Sequence, residues 1–125
     1  MVFGANVSHP GSDEKKAPTV SAICASIDTD FTRYVGRYNM NRKIRNEIIE
    51  KLDEIAADLL RRFEKKNQKL PSQIIFYRDG VAEGQFQHVV HDEVNALQLV
   101  FNRIYKKSPE PKLTFIVVQK RHHAW

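Results

Sequence analysis

Apolar and polar positions follow two different periods along this chain, and the switch between them predicts its elements. Residues 2–7 are a short apolar run, and residues 19–27 are small and β-branched; both read as strands. Residues 33–38 set Arg33, Val35 and Arg37 against Tyr34, Gly36 and Tyr38, the period of two that marks a third strand. The period then lengthens. Ile44, Ile48, Ile49, Leu52, Ile55, Ala56, Leu59, Leu60 and Phe63 recur in threes and fours, the apolar stripe of one long amphipathic helix. Asn41 is its expected N-cap, and Pro71 bars its continuation. Glu47 with Lys51, and Asp58 with Arg62, would pair on its wet side. Residues 74–77 are continuously apolar, as a strand buried on both faces requires. Phe86, Val89, Val90, Val94, Leu97, Phe101 and Ile104 make a second helical stripe, and residues 113–118 a last buried strand.

The predicted order is β-β-β-α-β-α-β, with turns marked by Gly, Pro, Asn and Asp clusters. Three strands in succession suggest an antiparallel meander. The later alternation suggests right-handed parallel crossovers. The expected fold is α/β: a mixed sheet with helices packed on it, the order of ribonuclease H-like folds. A length of 125 residues with 42% hydrophobic content suits one domain with a real core. A single cysteine, Cys24, excludes an internal disulfide framework and suits a reducing compartment. No apolar run approaches the ~20 residues of a membrane-spanning helix. The first residues lack the basic start and apolar core of a signal peptide. The expected setting is therefore cytoplasmic or nuclear. A net charge of +5 is compatible with a polyanionic partner.

Four places carry candidate chemistry. Asp79-Gly80 follows an apolar strand, and open α/β sheets collect ligands beyond the carboxyl ends of such strands; the same dipeptide is also an ordinary turn. Glu47 falls in the first turns of the long helix, where a carboxylate is also favoured by the helix dipole alone. Lys120, Arg121, His122 and His123 follow the last strand, as phosphate contacts or as a solvated charge run. Adjacent histidines on an extended chain face opposite ways, and His9, His88 and His91 have no partner at zinc spacing, so a structural zinc is not expected. Cys24, among small apolar residues, reads as a buried and inert thiol. No Ser-His-Asp pattern, Walker loop or Gly-rich dinucleotide fingerprint occurs.

Several segments, taken together, resemble the PIWI domain of Argonaute proteins. They are residues 4–10 (GANVSHP), 45–49 (RNEII), 74–86 (IIFYRDGVAEGQF) and 115–123 (FIVVQKRHH), in order over nearly the whole chain. The resemblance implies a ribonuclease H-like fold, in agreement with the strand order. It also implies that slicing relatives hold two Mg2+ or Mn2+ ions on a carboxylate cluster and direct water against a target RNA phosphodiester. By position, the catalytic residues fall on Asn6, Glu47 and Asp79, with Asp79 a metal ligand. Lys120 and Arg121 match a pair that contacts guide-strand phosphates.

Two departures shape the functional expectation. Asn6 is neutral where slicers carry an aspartate. The chain also ends before the segment in which the family's histidine ligand lies. The chain is therefore expected to be a partial PIWI domain, cut at its C-terminal and N-terminal ends. As written it is expected to be inactive, part of an Argonaute-like protein that binds small guide RNA and target RNA in RNA-mediated gene silencing without slicing. The alternative is a guide-directed, divalent-metal-dependent endoribonuclease, should Asn6 be engineered or compensated. A third possibility is an interaction piece that dimerises through exposed apolar surface. Silencing scaffold proteins are partners of some relatives; residues 69–70 and 108–111 depart from that pattern.

Overall fold

A computed structural model of the chain describes residues 1–8, 19–41 and 48–119. Among the described residues, five strands and two main helices follow the expected order: β1 (Val2–Ser8), β2 (Thr19–Ser26), β3 (Tyr34–Asn41), α1 (Leu52–Asn67), β4 (Gln73–Val81), α2 (Phe86–Ile104) and β5 (Lys112–Gln119), with a 3-10 turn before α2. The sheet order is β3-β2-β1-β4-β5. The meander is antiparallel throughout, and β1, β4 and β5 run parallel. Both crossovers carry a helix, so α1 and α2 lie together on one face.

Strand alternation assigns that face. Phe3, Ala5, Val7, Ile23, Ala25, Ile74 and Phe76 point into the core with Leu59, Leu60, Phe63, Leu97 and Phe101 from the helices. Phe3, Phe76 and Phe115 are register partners on three adjacent parallel strands, and their rings stack at 5.5 and 5.0 Å. Full burial of one such ring contributes about 1.5–3 kcal/mol from its apolar surface alone.

The opposite sheet face is open, which corrects two expectations. Residues 74–77 and 113–118 are covered on one side only: Tyr77 is 43% exposed and Val118 46% exposed. Cys24 is likewise exposed on the open face, since its neighbours Ile23 and Ala25 take the inward positions. A continuous apolar run hides the period of two that would have revealed this.

The long helix is shorter than its stripe. Asn41 is the last residue of β3, and the N-cap position of α1 is Lys51. Helix α1 begins at Leu52, after Lys51 takes a left-handed conformation (φ 59°). Ile49 is buried without being helical, because its N–H donates to Glu93 Oε2 at 3.0 Å rather than to a helical turn. Asn39 Nδ2 donates to the Glu50 carbonyl, holding this lead-in against β3. The expected Glu47–Lys51 pair involves a residue outside the described ones, and Lys51 precedes the helix. Asp58 pairs with Arg37 across to β3 at 3.0 Å, not with Arg62.

Candidate functional site

Strands β1 and β4 are parallel neighbours, so their carboxyl ends lie side by side, and Asn6 is the register partner of Asp79. Both residues sit at exposed positions, on the open face. Asp79-Gly80 is thus part of β4 rather than a turn after it. A register irregularity separates Asp79 from Val81, an added residue that bends the strand end. Gly80 absorbs it at φ 80°. A Cβ there would stand 2.7 Å from Asn6 Oδ1. Only glycine lets the Asn6 amide lie against this peptide. Asp79 Oδ1 accepts the Gly80 N–H at 2.8 Å, which orients the carboxylate.

Beneath the same peptide lies a buried ion pair that the sequence reading missed. Arg78 alternates with Asp79 and so points inward, with no exposed surface. Its Nε donates to Glu93 Oε1 at 2.8 Å, and its Nη1 donates to the Asp79 carbonyl at 2.7 Å. The second Glu93 oxygen takes the Ile49 N–H. Burial pushes the Glu93 carboxyl above its ordinary range, against the opposing pull of the Arg78 charge and these hydrogen bonds. A signal was present: Glu93 stands four residues from both Val89 and Leu97 on the apolar stripe of α2, and a carboxylate there needs a buried partner.

On the open face a groove of about 370 Å3 runs beside Asn6 and Asp79. Small residues (Gly4, Ala22, Gly36) form its floor, and Tyr38 and Tyr77 also line it. Strand β5 ends at Gln119, the register partner of Val81, so its carboxyl end reaches the same sheet end as Asn6 and Asp79. Lys120 and Arg121, the expected phosphate contacts, lie outside the described residues, as does Glu47. The structure therefore brings Asn6 and Asp79 together and describes no position for the other three.

A Piwi domain family model matches residues 1–125, the full chain. The chain belongs to the Piwi domain family. It is 44% identical to protein argonaute 18 of Oryza sativa subsp. japonica over 125 residues, covering 99% of this chain and 11% of that protein. Protein argonaute 7 of the same organism is also 44% identical, over 127 residues, with 99% and 12% covered. The chain thus spans about a tenth of the length of these curated relatives. Among solved structures, Kluyveromyces polysporus Argonaute with a guide RNA superposes with a TM-score of 0.80 at 29% identity, over 97% of this chain and 15% of that one.

Whether this Piwi chain can hold the divalent ions of a cutting site is a question of donors. Among the described residues, no three His, Cys, Asp or Glu side chains converge. At the paired strand ends the described donors are one carboxylate, Asp79, and one amide oxygen, Asn6. A pair of hard dications needs more anionic oxygen than that. The described residues do not fit a two-metal centre.

Proposed function

We propose that the chain is the Piwi core of an Argonaute-like protein that holds a guide RNA and its target without cutting the target. One observation carries the reading. Asn6 stands in register with Asp79 at the strand ends, so the position that would pair a second carboxylate with Asp79 offers a neutral amide. Membership of the Piwi family supports the nucleic-acid partner. Lys120 and Arg121, directly after β5, are the proposed contacts to guide phosphates, in keeping with the basic net charge.

The second reading, a guide-directed endoribonuclease, requires an aspartate in place of Asn6 or a compensating ligand elsewhere in the full-length protein. Asp79, oriented by the Gly80 N–H, favours keeping that reading in view.

Phosphate contacts are independent of sequence and weaken with salt. In the full-length protein, Lys120→Glu with Arg121→Glu is expected to weaken guide binding for every guide sequence. The slope of log affinity against log salt should also become shallower by roughly 1–2. Guide binding that is unchanged at every salt concentration would remove these residues from the interface.

A further inference from the structure

Arg78 and Glu93 are the two fully buried charged side chains among the described residues. Neither reaches the open face, yet together they join three segments: the bulged end of β4, helix α2 and the lead-in to α1. We propose that this pair is a positioning device for the Asn6–Asp79 site, fixing the Asp79–Gly80 peptide from beneath the sheet while tying the start of α1 to the same anchor. The proposal rests on the reading of that site as the nucleic-acid-facing centre.

Energetics argue against a purely stabilising role. Removing two charges from water is costly, and a well-packed apolar pair of similar volume often serves a core as well or better. What an apolar pair cannot do is hold a carbonyl and an amide in place. Arg78 Nη1 fixes the Asp79 carbonyl. The Asp79 carboxylate then takes the Gly80 N–H on the other side of the chain. The peptide that carries Asp79 is held from both faces.

Glu93 is also chemically specific. Arg78 Nε–H and the Ile49 N–H are both donors, and a carboxylate accepts from both. A glutamine has one acceptor oxygen, and its amide nitrogen would face a donor. Glu93→Gln must therefore give up one of the two bonds while preserving the volume. Ile49 is two residues after Glu47 in the sequence, so the lost bond would be close in sequence to the second candidate acid.

The test uses the full-length protein with Glu93→Gln and, separately, the apolar pair Arg78→Met with Glu93→Leu. Amide hydrogen exchange at Ile49 and Gly80, thermal midpoint and guide loading are measured for each. Target cleavage is followed in an Asn6→Asp background. The apolar pair should still fold and load guide, with a lowered midpoint because the Ile49 N–H and the Asp79 carbonyl lose their partners, while exchange at the Ile49 and Gly80 amides quickens about tenfold more than at the rest of the domain. In the Asn6→Asp background kcat should fall by a similar factor with KM unchanged. Glu93→Gln should quicken exchange at Ile49 and, should the apolar pair not fold, decides alone. Unchanged exchange at these amides in a folded variant would overturn the proposal, as would a uniform rise across the whole domain. An Asn6→Asp protein that never cuts would sink the endoribonuclease reading instead, and the exchange result would still decide this one.

Discussion

At the scale of single residues, the site depends on a glycine. The Gly80 backbone is left-handed, and the space a side chain would need is taken by Asn6 Oδ1. Gly80→Ala therefore meets two penalties. A non-glycine residue in this conformation costs about 1–2 kcal/mol, and the Asn6 amide must also move. We expect a loss of about 2 kcal/mol or more in urea unfolding. A variant as stable as the parent would show that neither the angle nor the contact constrains this peptide. The role proposed for Asn6 rests on family resemblance, because a lone Asn in a strand carries no chemical signature. Its proximity to Asp79 needed the sheet, since the two residues are 73 positions apart in the sequence and meet only through parallel pairing. Cys24 shows the converse: small apolar neighbours suggested burial, and strand parity put the thiol on the open face.

At the scale of elements, periodicity gave both helices and all five strands in order. It failed where local pairing was replaced by distant bonds. The stripe from Ile44 to Phe63 looked continuous because Ile49 is buried, but its N–H is taken by Glu93, 44 residues away. The same logic holds at the other end of the layer. Tyr105, just after α2, donates its hydroxyl to the Pro71 carbonyl at 2.7 Å, tying the end of that helix to the start of β4. Burial drives its hydroxyl pKa upward, so it remains a donor across the working range. Tyr105→Phe keeps the ring against Phe101 but leaves that buried carbonyl without this donor. The expected cost is about 1–2 kcal/mol, read as a lower denaturation midpoint with an unchanged slope. No loss would mean that another donor reaches the carbonyl.

At the scale of the molecule, one sheet face is covered by two helices and the other is open, with Tyr38 81% exposed and Met40 62% exposed. The length and composition gave no sign of this asymmetry, because strands with apolar residues on both sides look fully buried in sequence. The chain also spans only about a tenth of the length of its curated relatives. For the full-length protein we propose that Asn6 beside Asp79 leaves a centre that holds RNA and does not cut it. The most direct measurement loads the full-length protein with a guide RNA and a complementary, end-labelled target, in Mg2+ or Mn2+. We expect a target that is bound and stays intact. Robust, guide-positioned cleavage of the target by the protein with Asn6 in place would contradict it.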